Sequence, residues 1–220
     1  MKLSKQTIEV LKVWSSINTN LVIQPGKTVS TMSVAKDIMA TVDVSENFDK
    51  QVSIFNLNEL LGVLSSFDDP DIELEDKFML IKEGKLSVKY VYADAALLVA
   101  PSKTITMPKA EVSFDLSANV LSKIQKMAGI LAVDDLSFIG DKKKIIARVC
   151  DLKNPSGNNF DIDLETKTKD EFIINFKVEK IKLLPGDHTV SISSKKISMF
   201  ENTTYKSTTF VAVESTSEFN

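Results

Sequence analysis

The sequence feature that most constrains the fold is a strand that runs directly into a short amphipathic helix. Val52, Ser53 and Ile54 alternate as in a half-buried strand, and Asn56 follows at a position that favours the start of a helix. The helix has a single apolar stripe, formed by Leu57, Leu60, Leu61 and Leu64. A second strand-to-helix segment occupies residues 172–186. The repetition indicates that the chain contains two similar halves.

The hydrophobic periodicity predicts helices at residues 5–17, 56–64 and 117–128, and a fourth helix that ends at Pro185. Between these helices it predicts about sixteen short strands. This pattern is typical of the α+β class, with short helices on one face of antiparallel sheets.

The predicted domain boundary lies in an extended segment where Pro101 and Pro108 leave little room for a regular element. The sequence therefore predicts an N-terminal domain at residues 1–96, an interdomain connector at 97–109 and a C-terminal domain at 110–220. The polar tail at residues 215–220 has the composition of a disordered segment.

Charge, cysteine content and hydropathy argue against several classes of protein. The formal net charge of -3 disfavours a protein that binds nucleic acid with its whole surface. Cys150 is the only cysteine, so we expect no intramolecular disulfide, a reducing compartment and a buried, unreactive thiol. The longest apolar run, Ala95–Ala100, is far shorter than the roughly 20 residues that span a bilayer, and residues 1–5 do not begin a signal peptide. We therefore expect a soluble intracellular protein with no membrane partner.

The sequence contains no motif for catalysis, nucleotide binding or metal binding. His188, the only histidine, lies beside the Pro185-Gly186 turn, and we predict a surface turn residue rather than a general base. Asp161 and Asp163 lie on one face of a predicted strand. They are either two ligands of a metal ion or part of a solvated strand face. We favour the solvated face, because no third ligand follows at a useful spacing. The sequence thus predicts a protein that is not an enzyme, with no catalytic residue, no metal site and no cofactor.

Lysines collect on the predicted helices. They are Lys5 and Lys12 on the first helix, Lys123 and Lys126 on the third, and Lys177, Lys180 and Lys182 around the fourth. The second helix carries no basic residue. On any one helix, a solvated polar face explains such lysines. Three helices out of four, in a chain of negative net charge, favour a shared positively charged surface instead.

Several segments together resemble the sliding clamps of T-even-type tailed bacteriophages, the processivity factors of the phage DNA polymerases. The segments are residues 1–5, 55–65, 99–105 and 172–175, followed by Lys182 and Pro185-Gly186. Each segment alone is mostly apolar and weakly specific. Their order along essentially the whole chain, and the twofold internal plan, make the combination specific.

The resemblance implies two similar clamp-type domains per chain and a homotrimeric ring around duplex DNA, with helices that line the hole and sheets that form the outer wall. It also implies that channel lysines correspond to Lys5, Lys12, Lys123, Lys126, Lys180 and Lys182, to which we add Lys177. The contact with DNA is not sequence-specific, because lysines that contact phosphates do not distinguish bases.

The implied partners are double-stranded DNA, the phage DNA polymerase, an ATP-driven clamp loader and late-transcription factors, in the cytoplasm of the infected bacterial host. We place a pocket for partner peptides at Met32, Ile38, Leu98, Val99, Pro101 and Phe210. Each of these residues is equally well explained as an ordinary core or loop residue. The alternative function is a phage structural or assembly oligomer that does not thread DNA.

Overall fold

The computed structural model describes residues 1–219, which divide into two compact units. The first unit is Met1–Thr104, and the second unit begins at Ile105. The division between them falls inside the segment 97–109, whose limits as a connector remain a prediction. Asn220, the last residue of the predicted C-terminal domain and tail, lies outside the described residues.

The first unit contains two α-helices and seven strands. In chain order they are α1 (Lys5–Trp14), β1 (Leu21–Ile23), β2 (Gly26–Met32), β3 (Ile38–Phe48), β4 (Val52–Ile54), α2 (Leu57–Leu64), β5 (Asp71–Leu74), β6 (Phe78–Glu83) and β7 (Leu86–Val91), followed by a 3-10 turn at Ala95–Leu97. The strands pair antiparallel as β1 with β4, β2 with β3, and β5 with β6 with β7.

Both helices of the first unit begin where a polar side chain caps them. The Ser4 hydroxyl accepts a hydrogen bond from the Thr7 amide at 3.1 Å, and the Asn56 side chain accepts one from the Glu59 amide at 3.2 Å. The apolar stripe of each helix is buried, and the stripe of α1 ends at Trp14, which is 1% exposed. The two helices pack against each other. These two predicted helices are therefore confirmed, although α1 ends three residues earlier than predicted.

The second unit contains one α-helix and nine strands. In chain order they are β8 (Val112–Leu116), α3 (Ala118–Leu131), β9 (Asp135–Asp141), β10 (Lys144–Cys150), β11 (Phe160–Lys167), β12 (Glu171–Lys177), a 3-10 turn at Val178–Lys180, β13 (His188–Ser193), β14 (Ile197–Asn202), β15 (Ser207–Ala212) and β16 (Glu218–Phe219). One antiparallel sheet has the order β11-β10-β9-β12-β16, and β8, β13, β14 and β15 pair in a second.

A row of four phenylalanines runs through the core of the second unit. Phe114, Phe138, Phe176 and Phe200 follow one another with ring centroids 4.8, 5.9 and 6.1 Å apart. The tilted and edge-on arrangement of the rings is the one that aromatic pairs prefer. Helix α3 covers this core with Ile124, which is fully buried.

A corresponding backbone hydrogen bond occurs within each unit, which supports the duplication inferred from the sequence. In the first unit the Leu57 amide, at the start of α2, donates to the Thr19 carbonyl at 2.7 Å. In the second unit the Val178 amide, just after β12, donates to the Asp134 carbonyl at 2.8 Å. In each case the strand-to-helix segment is tied to the loop that follows the preceding helix.

The predicted fourth helix is wrong, and residues 1–219 contain three α-helices. Strand β12 continues to Lys177, because the run of aromatic and β-branched residues before it pairs with β9. Only seven residues then remain before Pro185, which cannot continue a helix. The chain forms the short 3-10 turn at Val178–Lys180 and continues without regular structure to β13.

The prediction of a disordered tail is also wrong for the described part of residues 215–220. Glu218 and Phe219 form strand β16, which pairs with Ile173 and Phe172 of β12. The Lys196 ammonium donates to the carbonyls of Ser215 and Ser217 at 2.8 and 3.3 Å. The polar groups of this segment therefore form specific hydrogen bonds within the folded chain.

His188 is not the surface turn residue that we predict from its neighbours. It begins β13 and is 2% exposed. The Asn202 oxygen accepts from the amides of Thr204 and Tyr205 at 2.9 and 2.8 Å, which fixes the orientation of that side-chain amide. The Asn202 amide nitrogen is therefore the donor to His188 Nε2, at 3.1 Å. Burial lowers the pKa of His188 below its ordinary 6.5, so the imidazole is neutral at pH 7.

This buried histidine predicts a specific loss of stability in mild acid. The unfolded chain binds a proton at His188 near pH 6.5, whereas the folded chain does not until its lower pKa is reached. The free energy of unfolding should therefore fall as the pH decreases below about 6.5, by at most about 1.4 kcal/mol per pH unit. Urea unfolding at pH 7.5 and 5.5 measures this change.

The matched control is His188→Gln, because the chain has no other histidine. The variant should be less stable than the wild type at pH 7.5 but should change less between pH 7.5 and 5.5. An equal change in both proteins would contradict the assignment.

Candidate nucleic-acid interface

The lysines of α1 and α3 lie on the solvent-exposed faces of their helices. Lys5 and Lys12 on α1, and Lys123 and Lys126 on α3, are all exposed. Their side chains have no ion-pair partner within residues 1–219. The amphipathic pattern explains this position, because the opposite side of each helix is buried in its own unit.

The lysines near the predicted fourth helix lie in a different environment. Lys177 forms an ion pair with the buried carboxylate of Asp135, and this hydrogen bond raises the pKa of Lys177. Lys180 pairs with Glu214 at 2.9 Å. Lys182 is half-buried. The positive charges of Lys177 and Lys180 are thus offset by neighbouring carboxylates, which sequence spacing does not reveal because both partners lie more than thirty residues away.

A hydrogen bond places α3 beside the segment that carries Lys182. The Gln125 amide nitrogen donates to the Ile181 carbonyl at 3.4 Å. Helix α3, which carries Lys123 and Lys126, therefore lies beside the segment that carries Lys182. Lys5 and Lys12 belong to the first unit.

Helix α2 contains no lysine, arginine or histidine. Its residues Asn58, Glu59 and Gly62 are exposed, and Glu59 is the one charged residue on the helix. The exposed face of α2 is therefore polar and acidic rather than basic.

The residues predicted for the partner-peptide pocket are divided between the units. Met32, Ile38, Leu98, Val99 and Pro101 belong to the first unit, whereas Phe210 lies on β15 of the second. Ile38 is 6% exposed and is a core residue. Met32, Leu98, Val99, Pro101 and Phe210 are half-buried, which leaves part of each side chain open to a partner.

Asn18 is a residue that the sequence reasoning missed. Its side chain is buried, and its amide nitrogen donates to the carbonyls of Met32 and Val99 at 2.8 and 3.2 Å. Asn18 thus ties the end of β2 to the start of the predicted connector. No local pattern indicates this role, because Asn18 and Val99 are 81 residues apart.

The other polar residues considered from sequence have structural partners. Asp161 accepts two hydrogen bonds from Arg148, both at 2.7 Å, and Asp163 pairs with Lys144 at 2.8 Å. Cys150 is half-buried rather than buried, and burial raises the pKa of its thiol. A raised pKa leaves less of the reactive thiolate at neutral pH. Within residues 1–219 no helix has the length and apolar character needed to cross a bilayer.

Comparison with known proteins places these features in a family context. Residues 2–107 match the family model described as DNA polymerase processivity factor. Over 230 aligned positions that cover all of both chains, the sequence is 28% identical to the sliding clamp of Escherichia phage RB69. It is 27% identical to the sliding clamp of Vibrio phage KVP40 over 207 residues, which cover 91% of this chain and 94% of the relative. Enterobacteria phage T4 has a sliding clamp that is 27% identical over 204 residues, 89% of this chain and 88% of the relative.

Solved structures of low sequence identity share the fold. The A. fulgidus PCNA bound to the C-terminal region of FEN-1 superposes with a TM-score of 0.73 at 15% identity, over 99% of this chain and 98% of that one. The Entamoeba histolytica Proliferating Cellular Nuclear Antigen gives a TM-score of 0.69 at 16% identity, over 97% of each chain. The α+β fold predicted from the sequence, with two clamp-type domains in one chain, is confirmed.

Proposed function

Since the chain belongs to the sliding clamps of T-even-type tailed bacteriophages, we propose that it encircles duplex DNA and tethers the phage replicative DNA polymerase for processive synthesis. The observation that carries this proposal is the similarity to sliding clamps along the whole chain, together with exposed lysines on α1 and α3. The chain itself acts without catalysis.

The charge distribution suits a protein that must hold DNA and still move along it. A net charge of -3 per chain opposes binding of DNA to the outside of an assembly. Exposed lysines attract phosphates without reading bases, so the contact has no preferred position along the duplex. Retention then depends on closure of the ring, and the individual contacts can stay weak enough to permit sliding.

Free strand edges offer a route to the ring. Strand β7 lies at one edge of the β5-β6-β7 sheet, and β11 lies at one edge of the five-stranded sheet of the second unit. Leu86 and Val91 of β7 are 60% and 64% exposed. An exposed apolar edge strand is a template for pairing with another chain. We therefore assign β7 of one chain and β11 of the next to a head-to-tail contact, which can close into a ring.

The side chains of these two strands are complementary. On the helix-covered side of its sheet, β11 carries three half-buried apolar residues. On the corresponding side of β7 lies an apolar row that includes a tyrosine. The hydroxyl of this tyrosine donates to the Asn56 carbonyl at 3.2 Å. The rows are Phe160, Ile162 and Leu164 on β11, and Leu86, Val88 and Tyr90 on β7. On the opposite side, Lys89 of β7 would meet the acidic row of β11, formed by Asp161, Asp163 and Glu165.

The proposal implies further partners. An ATP-driven clamp loader opens the ring, so this chain needs no nucleotide site of its own. Partner peptides from the polymerase, and from late-transcription factors, bind near Leu98, Val99 and Pro101, where apolar side chains are partly open. The protein acts in the cytoplasm of the infected bacterial host.

Retention on circular DNA tests the proposal directly. The protein should form a homotrimer of about 73 kDa, three times the chain mass of 24.4 kDa. After loading by a clamp loader with ATP, it should stay on a nicked circular duplex during gel filtration and be lost when a restriction enzyme linearises the DNA. A trimer that behaves identically on circular and linear DNA would support the structural or assembly oligomer instead.

A further inference from the structure

Three isoleucines form a continuous apolar row on one face of the five-stranded sheet. Ile146 of β10 lies opposite Ile139 of β9, and Ile139 lies opposite Ile173 of β12. Residues directly opposite each other on neighbouring antiparallel strands have Cβ atoms about 4.5–5.5 Å apart, so the three side chains are neighbours. Ile173 is 38% exposed, and the other two residues are half-buried. We call this row the isoleucine strip.

The isoleucine strip does not belong to the core of the second unit. Side chains alternate between the two faces of a strand, and on β10 the buried Ile145, Ala147 and Val149 belong to the core that α3 covers. The strip lies on the opposite face of the sheet. The face of an antiparallel sheet that borders on solvent normally carries polar side chains. Apolar residues gathered on such a face are typical of a surface that binds another protein.

A cavity of about 210 Å³ opens beside the strip. Ile139, Ile173, Cys150 and Leu152 contribute to its lining. Leu152 lies in the loop between β10 and β11 and is 40% exposed. Its backbone amide donates to the buried Asp135 carboxylate at 3.0 Å. This hydrogen bond fixes the loop that forms one wall of the cavity.

The size of the cavity indicates what kind of ligand it accepts. Sites for small molecules and cofactors have volumes of about 300–1,000 Å³ and enclose most of the ligand. This cavity is smaller and continues into the open strip. It therefore suits a single apolar side chain that projects from a peptide lying across the strip.

The charges on this face favour a basic partner. The five strands of the sheet carry seven carboxylates and four cations, and all of these side chains lie on the face of the strip. Three of the four cations are already paired within the face: Lys144 with Asp163, Arg148 with Asp161, and Lys177 with Asp135. The excess of carboxylates attracts lysine and arginine and repels the phosphates of a nucleic acid.

One unpaired carboxylate lies directly beside the strip. Glu218 of β16 is exposed and lies opposite Ile173. It forms no ion pair within the part of the chain that the structure describes, residues 1–219. Lys196, which binds the preceding segment, donates to the carbonyls of Ser215 and Ser217 instead. Glu218 is therefore available to a cation of a partner.

We propose that the isoleucine strip and its cavity bind a basic peptide segment of a partner protein. An aliphatic or aromatic side chain of the segment enters the cavity between Ile173 and Leu152, and a neighbouring lysine or arginine lies near Glu218. This site belongs to the second unit and is separate from the pocket that we place near Leu98 in the first unit. The inference therefore goes beyond the proposed function and gives each chain a second protein-binding surface.

Three short fluorescent peptides test the proposal on the full-length protein. The first has a central leucine flanked by two lysines on each side, the second has serine in place of the leucine, and the third has glutamates in place of the lysines. Binding is measured by anisotropy at about 50 mM NaCl, where surface charges are only weakly screened. The leucine–lysine peptide should bind at least about tenfold more tightly than the serine peptide, because only its side chain is buried in the cavity. It should also bind more tightly than the glutamate peptide.

Three variants locate the binding site. Ile173→Ser removes part of the strip and should reduce the affinity for the leucine–lysine peptide to that for the serine peptide. Glu218→Gln should weaken binding by about two- to fivefold, as expected for an exposed ion pair. Leu98→Ser makes the same kind of change at the pocket of the first unit and should alter the affinity by less than about twofold. Urea midpoints verify that all three variants are folded.

Cys150 provides an independent readout, because it lines the cavity and is the only cysteine of the chain. The leucine–lysine peptide should slow alkylation of Cys150 by iodoacetamide, whereas the serine peptide should not. Equal binding of the leucine and serine peptides, unchanged binding by Ile173→Ser, or a loss confined to Leu98→Ser would overturn the proposal.

A second copy of the chain is the competing occupant of the strip. Sedimentation that shows self-association of trimers in the wild type but not in Ile173→Ser, without leucine-dependent peptide binding, would assign the strip to that contact and refute the peptide site. The proposed function is judged separately, by retention of the wild-type protein on nicked circular DNA. A wild-type protein that is retained but shows no leucine-dependent binding refutes only the peptide site.

Discussion

Replacing Asn175 with alanine is expected to lower the free energy of unfolding of the second unit by about 2–4 kcal/mol, since buried polar groups lose their partners and a cavity is left. Asn175 lies on β12 and is 3% exposed. Its oxygen accepts from the Ser137 hydroxyl at 2.6 Å, and its amide nitrogen donates to the carbonyl and the hydroxyl of Thr216 at 3.2 and 3.1 Å. The variant leaves the buried Ser137 hydroxyl without the oxygen that accepts its hydrogen bond.

The loss should also loosen the C-terminal segment. Besides its side chain, the Asn175 backbone accepts from the Glu214 amide at 3.0 Å and donates to the Ser217 hydroxyl at 2.8 Å. These backbone hydrogen bonds remain in the variant, but both side-chain bonds to Thr216 are lost. Hydrogen exchange at Glu218 and Phe219 should therefore accelerate, because the segment that leads into strand β16 is held less firmly.

Asn158→Ala is the matched control for this experiment. Asn158 is exposed in the loop between β10 and β11, so its replacement should change stability by no more than about 0.5 kcal/mol. Urea unfolding followed by circular dichroism compares the three proteins. A midpoint for Asn175→Ala as high as that for Asn158→Ala would contradict the role given to Asn175.

Local sequence patterns were sufficient to predict much of the fold. Helices α1, α2 and α3 follow from a 3.6-residue apolar period and from the caps at Ser4, Asn56 and Ser117, each of which accepts a hydrogen bond from an amide three residues later. The strand-to-helix segment of the first unit is specified by neighbouring residues alone. Such features depend on interactions within one or two turns, and sequence spacing records them directly.

The errors arise where distant parts of the chain decide the structure. Residues 172–177 have an apolar pattern that suits a helix or a strand, and pairing with β9 selects the strand. The two-residue strand β16 is too short to show a period, and it forms because Asn175 and Lys196 bind the preceding segment. His188 is buried by strands that lie beside it only in the folded chain.

In the candidate interface, too, local features could be predicted from the sequence and long-range contacts could not. The exposure of Lys5, Lys12, Lys123 and Lys126 follows from helix periodicity, which places them opposite the buried stripe. The ion pairs of Lys177 and Lys180 are long-range and could not be inferred from spacing.

Replacing Leu86 with aspartate is expected to weaken assembly of the ring while leaving the fold of each chain intact. Leu86 is 60% exposed in the isolated chain, at the start of edge strand β7. Burial of a leucine in an interface contributes about 1.5–3 kcal/mol, so its loss should raise the dissociation constant by about 10- to 100-fold per interface. The new carboxylate would also be buried against the apolar row of β11, formed by Phe160, Ile162 and Leu164, where an unpaired charge is costly.

Val34→Asp separates an effect on the β7 edge from a general effect of added charge. Val34 is 69% exposed in the turn between β2 and β3 and belongs to neither proposed edge strand. Sedimentation equilibrium should find a trimer for the wild type and for Val34→Asp, and smaller species at the same concentration for Leu86→Asp. Because each of three interfaces carries one Leu86, the losses combine in the free energy of ring closure, and retention on circular DNA should fall together with the trimer. A Leu86→Asp protein that remains a tight trimer would exclude β7 from the contact between chains and with it the edge-to-edge route to closure.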